Sequence, residues 1–189
     1  MGFLSRLLGV KVPAKWEPSV IAHTAFGGAI TVIETPRGEG WQHFEESREG
    51  EGFTVMVLKY ILPASPASPA PLGLLAKIYT HAEDWAPPED PATTSWREIF
   101  RPLLSDVSNL ATLATRQRLM THAIPATEAV LDGLGADSGL PLRIRERRSV
   151  LGRELFIVTA MGSPALFEVH AADIDRWFDS ATFEPVAAA

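Results

Sequence analysis

The sequence predicts an α+β domain, an antiparallel sheet flanked by helices. Three observations lead there. The run Phe53 to Leu62 (FTVMVLKYIL) is apolar on both faces of an extended chain. Phe53, Val55, Val57 and Ile61 share one face; Met56, Leu58, Tyr60 and Leu62 share the other. Such a strand sits inside a sheet with something packed on each side. Leu142 to Val150 and Glu154 to Ala160 are two strands joined across Leu151-Gly152-Arg153, a hairpin signal. Ser163 then caps a helix with Pro164 at its first position, where the missing N–H costs nothing. Strands, a helix, more strands and a final helix argue for antiparallel packing over alternating β-α-β units.

The 189 residues fit one domain, 1–189, with a real core. Apolar residues make up 46% and charged residues 21%, so the chain is too apolar for a disordered protein. The net charge of −6 disfavours whole-surface attraction to nucleic acid or anionic lipid, so no nucleic-acid partner is expected. With no cysteine, disulfides, thiolate nucleophiles and cysteine-based zinc sites are excluded.

Residues 1–28 read as an N-terminal extension. Phe3, Leu4, Leu7 and Leu8 fall on one helical face, which suggests a short docked helix; a weak membrane-surface or partner anchor is the alternative. The segment is too short and interrupted for a secretory leader, and Arg6 stands where a myristoylation motif wants Ser or Thr. No run approaches the length of a membrane span, so a cytoplasmic location is expected. Ala29 to Thr35 is a short strand stopped by Pro36, and Arg37 to Gly52 reads as an exposed, Glu-rich loop or hairpin tip around Trp41 and Phe44.

After Leu62, the segment 63–71 (PASPASPAP) favours polyproline II and forbids ladder pairing. It reads as a stiff loop between strands; a linker or a proline-recognition ligand is the alternative. Leu74 to Thr80 resumes as a strand. Asp84 to Pro91 is an acidic loop. Ser95 and Glu98 form a capping box, followed at helical spacing by Trp96, Ile99, Phe100, Leu103 and Val107, with a kink or restart at Pro102. Thr115 to His122 and Thr127 to Leu131 read as strands broken at Pro125, or the first extends a helix. The final helix carries Leu166, Phe167, Ala171, Ile174, Trp177 and Phe178 as one stripe, and 184–189 read as a frayed tail. Phe53, Val55, Val57, Leu58, Leu155, Ile157, Ile174 and Trp177 should form one continuous core.

Signs of catalysis are sparse. There is no dinucleotide or phosphate-cradling glycine loop, no nucleophile elbow and no paired-histidine zinc motif. The five histidines, His23, His43, His81, His122 and His170, are scattered, and Glu83, Asp84, Glu89 and Asp90 lack the ligand alternation of a calcium loop. No metal and no cofactor are therefore expected. The segment GLGADSG (Gly133 to Gly139) reads as a hairpin connection rather than an anion-binding turn.

The distinctive feature is basic. Arg143, Arg145, Arg147, Arg148 and Arg153 crowd one hairpin of an acidic protein. Arg143, Arg145 and Arg147 alternate, so they project from one face, opposite Leu142, Ile144 and Val150. Guanidinium groups in a row suit carboxylate or phosphate, so these three are the candidate binding residues for an acidic partner or anion and should remain solvent-accessible. The competing reading pairs them with Glu146, Glu154 or cross-strand acids.

The segment Glu154 to Phe183 (ELFIVTAMGSPALFEVHAADIDRWFDSATF) carries a hairpin strand, a Pro-initiated helix and an Asp-Ser-aromatic close at Asp179, Ser180 and Phe183. In this it resembles the C-terminal part of the PsbP-like superfamily, with a looser likeness reaching back to the strands at Phe53 and Leu74. The resemblance implies a PsbP-like α/β/α sandwich with no shared catalytic residues, whose members act mostly by binding other proteins. The expectation is a non-enzymatic protein-binding module, an adaptor or chaperone of a bacterial secretion or envelope system. The alternative is a small-ligand binder or enzyme with a site assembled from dispersed residues such as His81, His122 and Arg145.

Overall fold

Strand-forming segments dominate the chain once it is folded. The computed structural model describes residues 15–23, 29–38, 40–50, 52–65, 71–81, 107–119, 125–151 and 154–185. Ten strands fall in this range: β1 (Lys15–His23), β2 (Ala29–Arg37), β3 (Gln42–Gly50), β4 (Phe53–Leu62), β5 (Leu72–His81), β6 (Val107–Leu119), β7 (Pro125–Gly135), β8 (Pro141–Leu151), β9 (Glu154–Gly162) and β10 (Thr182–Pro185). Two helices lie between β9 and β10, α1 (Pro164–Val169) and α2 (Ala171–Ser180).

The strands form two antiparallel sheets, a seven-stranded one of order β3-β4-β5-β9-β8-β7-β6 and a three-stranded one of order β1-β2-β10. The register gives each face of the large sheet its residues. Leu58, Ala76, Val158, Arg147 and Glu128 stand opposite one another in successive strands, so their side chains share one face. That face is covered over β4, β5 and β9 by both described helices and by Ile33 of β2. Ser163 accepts a hydrogen bond from the Leu166 N–H and so caps α1, as the sequence implies. The helices, Leu58, Tyr60, Leu74, Ile78, Phe156 and Val158 form the main core around Trp177. Ser180 Oγ accepts from the Glu34 backbone N–H at 3.0 Å and ties α2 to the small sheet.

Leu155 and Ile157 do not join that core. They alternate with Phe156 and Val158, point to the opposite face and pack with Tyr79 and Val150 in a separate cluster. Val55 is buried outside both clusters, and Phe53 and Val57 are only half-buried. One continuous core is thus replaced by a cluster on each face of the sheet. The described helices lie on one face only.

Several strand boundaries differ from the sequence reading. The expected loop at Arg37 to Gly52 contains the edge strand β3, because a charged segment can pair along an edge without burying its side chains. β2 runs through Pro36, which faces Trp16 of β1; β10 pairs only with residues 29–32 of β2, so no ladder bond is demanded there on the other side. Lys15–His23 forms β1 inside what reads as an extension, and Glu184 and Pro185 belong to β10 rather than to a frayed tail. Val107 opens β6 instead of ending a helix. Residues 63–71 join two antiparallel neighbours, with Leu62 facing Leu72. The Gly133 to Gly139 segment is a hairpin connection: the Gly135 N–H donates to the Leu140 carbonyl at 3.0 Å, and Gly139 turns at φ 63°. The docked helix at Met1 to Val12, the capped helix at Ser95, the acidic loop and His122 lie outside the described residues.

Candidate functional site

The alternating arginines of β8 project from the helix-bearing face, beside the main core. β7 runs antiparallel beside them and brings Glu128 opposite Arg147 and Asp132 opposite Arg143. Glu128 lies in the apolar run Ala126–Leu131, and its side chain is 1% exposed. Three arginines donate hydrogen bonds to it. Arg147 donates from Nε at 3.0 Å and from Nη2 at 2.9 Å to Oε2. Arg145 Nε donates to Oε1 at 3.1 Å. Arg116 of β6 donates from Nε at 3.0 Å and also through Nη2. A fourth guanidinium, Arg118, approaches at 3.8 Å.

Helix α2 closes the cluster. Arg147 Nη1 donates to the Phe178 carbonyl at 2.5 Å, satisfying part of the helix C-terminus. Arg145 Nη1 donates to Asp175 Oδ1 at 2.5 Å, and its guanidinium lies 4.3 Å from the Phe178 ring centroid. Asp179 approaches Arg118 at 3.6 Å and Arg147 at 3.8 Å. Arg143 makes a separate two-point bridge to Asp132, at 2.7 and 2.8 Å.

The electrostatics follow from this packing. Burial alone would raise the Glu128 pKa. The hydrogen bond from Arg116 and the charges and bonds of Arg145 and Arg147 outweigh burial and hold the carboxyl below its ordinary value. The bond from Arg143 likewise lowers Asp132. Burial is the largest influence on Arg147 and lowers its pKa, against the pull of Glu128. A carboxylate held ionised by this many donors is a poor proton acceptor. It suits an electrostatic brace that ties edge strand β6 through β7 and β8 to helix α2.

The three arginines expected at the surface are therefore largely inside. The side chains of Arg143, Arg145 and Arg147 are 27, 12 and 6% exposed. Their common face is as the alternation implies, but cross-strand acids and α2 cover it. Arg148 points to the other face, where its Nε donates to Glu146 at 2.5 Å beside Thr159 and half-buried Lys77. Burial lowers the pKa of Lys77. His81 and Arg145 fall on opposite faces of the sheet by register, so they do not share a site. Among the described residues no cluster of three or more His, Asp or Glu could hold a metal ion, and no helix is long and apolar enough to cross a membrane.

Sequence reasoning missed Glu128, Arg116 and Arg118. The signals were two carboxylates, Glu128 and Asp132, set among apolar residues, and a second Arg-x-Arg pair two strands from the first. The outer two arginines lie on β6, an edge of the sheet among the described residues, with side chains 51 and 35% exposed. Gly133 lets the start of β6 pack closely on β7, since a Cβ there would meet the Ser108 carbonyl at 2.9 Å. Asn109, with φ 53°, sits in a bulge between Ser108 and Ala111 where the register shifts.

No protein-family model matches this chain, and no curated protein matches its sequence. Solved structures do match its shape. The cyanobacterial PsbP of Synechocystis sp. PCC 6803 aligns with a TM-score of 0.53 at 12% identity, over 94% of this chain and 96% of its own. LpqN of Mycobacterium tuberculosis, involved in cell envelope biogenesis, aligns with a TM-score of 0.52 at 13% identity, over 90% of this chain and 92% of its own. A Pseudomonas aeruginosa protein of unknown function aligns at 0.48 and 11% identity, over 85% of this chain and 94% of its own. The antiparallel sheet, the Pro-initiated helix pair after its central strand and these two full-length alignments agree: the chain has the PsbP-like fold.

Proposed function

We propose that the chain is a non-enzymatic protein-binding module that accepts a partner along the β6 edge. It would work as an adaptor or chaperone of a bacterial secretion or envelope system, on the cytoplasmic side. The contrast between the two edges of the large sheet carries this reading. β3 is blunted by charge: Glu45, Glu46, Arg48 and Glu49 line it. Natural edges are protected in this way against added strands. β6 is longer, 13 residues against 9, and lacks that protection over its first nine residues. Two of its leucines stand in the open, Leu113 at 54% and Leu119 at 73% exposure. An exposed apolar edge strand invites a partner strand through main-chain hydrogen bonds.

Arg145 and Arg147 serve this edge from behind, through Glu128, while Arg143 pairs separately with Asp132. The acidic contact expected of them passes to Arg116 and Arg118 on the rim. LpqN's involvement in envelope biogenesis belongs to that protein; with the shared fold, it makes envelope factors the first candidates to screen.

Differential capture tests the reading. Full-length chain and a Leu113→Pro variant are used as baits in extract of the native cell, and bound proteins are quantified by mass spectrometry. Leu113 lies at a register shift and faces no β7 residue, so proline there perturbs the outer edge most. The expected result is a partner held by the unaltered chain and lost from a variant with the same thermal melt. Equal capture by both would reject the edge.

A further inference from the structure

We propose that the occupant of the β6 edge is an extended segment of another protein bearing two carboxylates two residues apart, Asp/Glu-x-Asp/Glu, clamped by Arg116 and Arg118. This rests on the strand-addition reading above and specifies its chemistry. β6 carries two arginines and no acid. Arg116 faces Glu128 and Arg118 faces Ala126 in the β7 register, so both project from the same face of the sheet. An added strand repeats that alternation, and its residues i and i+2 lie side by side next to the two guanidiniums.

The arginines have donors to spare. Glu128 already accepts from Arg116, Arg145 and Arg147. Arg118 is left with ion-pair approaches of 3.8 Å to Glu128 and 3.6 Å to Asp179, both longer than a hydrogen bond. Each guanidinium has five N–H donors in a planar fork that fits a carboxylate. Leu119 alternates onto the opposite face and offers an apolar contact to a neighbouring side chain of the incoming strand.

A second copy of this chain fits less well. Two β6 edges would bring basic strand to basic strand. The acidic β3 edge does not present the pattern either: Glu46 is followed two residues on by Arg48, which it already pairs at 2.5 Å, and Ser47 separates Glu45 from Glu49. Addition of β6 to β3 would also propagate without closing.

The test is selection of random peptides displayed on phage against the full chain, followed by fluorescence anisotropy with the enriched peptide. The enriched peptides should share acid-x-acid. Arg118→Ala should weaken binding by about tenfold or more, as should replacing both peptide acids by amides, and affinity should fall with added salt. Arg118→Ala is the primary variant because Arg116 also braces Glu128; Arg116→Ala with Arg118→Ala follows if its melt is unchanged. Enriched peptides without the acidic pair that still lose binding to Leu113→Pro would reject the acidic occupant and keep the edge. Peptides indifferent to both substitutions would reject the edge itself. A stable chain that enriches no peptide, or associates with itself through β6, would overturn the proposal.

Discussion

Replacing Glu128 by Gln keeps the shape and removes the charge at the centre of the arginine cluster. Five N–H···O contacts from Arg116, Arg145 and Arg147 converge on this carboxylate. Bonds to charged groups are worth about 1.5–3 kcal/mol each, but a sum over five would overcount, because they share two oxygens and one of the donors is half in water. Arg116 can turn to solvent and recover most of its loss. Arg145 and Arg147 cannot, since their side chains are 12 and 6% exposed. The amide also presents N–H groups to guanidinium N–H groups. The expected cost is therefore that of breaking a buried pair, about 3–5 kcal/mol. Chemical denaturation followed by Trp fluorescence measures it. Arg147→Met should restore part of the loss in the double variant, with a coupling of about 2 kcal/mol. The pH dependence has a definite sign. Glu128 titrates lower in the folded than in the unfolded chain, so its contribution is complete above the ordinary carboxylate pKa and is lost as pH falls through the depressed folded value. The gap between native chain and variant should narrow only in acid. A cost under about 1 kcal/mol, or a gap that stays constant into acid, would refute the brace.

Trp177 stands at the centre of the main core, and its Nε1 has no hydrogen-bond partner among the described residues. Trp177→Ala should cost about 3–5 kcal/mol in denaturant melts. Trp177→Phe should cost much less, since it removes an unpaired polar atom with part of the ring. Arg143→Met should change stability by about 1 kcal/mol or less, because its bridge to Asp132 is partly in water; a thermal melt that drops as far as that of Arg147→Met would contradict this. Replacing 63–71 by an equal length of Gly and Ser should leave the fold intact and cost about 1 kcal/mol or less per proline, read by the same melts; collapse of the β4–β5 pairing would show that the prolines do more than span a turn.

How far the sequence reaches is clearest at particular residues. The C-terminal third was legible because local signals agree there: alternation in β8, an apolar run in β9, a Ser-Pro helix start and an apolar stripe ending at Trp177 and Phe178, although the one helix expected is two, divided at His170. β3 and β6 were not, because edge strands keep their side chains in water and so lose the hydrophobic alternation that marks a strand. β6 mixes Ser, Ala and Thr with Leu110, Leu113 and Leu119, which do not alternate, and a bulge at Asn109 breaks its register. The arginine alternation was readable, and so was the shared face. Its destination was not, since the Glu128 partner lies 17 residues from Arg145 and 19 from Arg147 and meets them only through strand register. The same limit hid the division of the core, where Leu155 and Ile157 face away from Trp177.

Site-resolved cross-linking in the native cell tests the central claim most directly. A photoreactive side chain is placed in turn at Leu113 on β6, Phe44 on β3 and Val169 on α1, three exposed positions on different elements. Adducts are identified by mass spectrometry. Partner binding along β6 predicts one dominant protein adduct at Leu113, with little at Phe44 or Val169, and its loss when Arg118→Ala is added. Adducts concentrated at β3 or α1, or equal at all three sites, would contradict it.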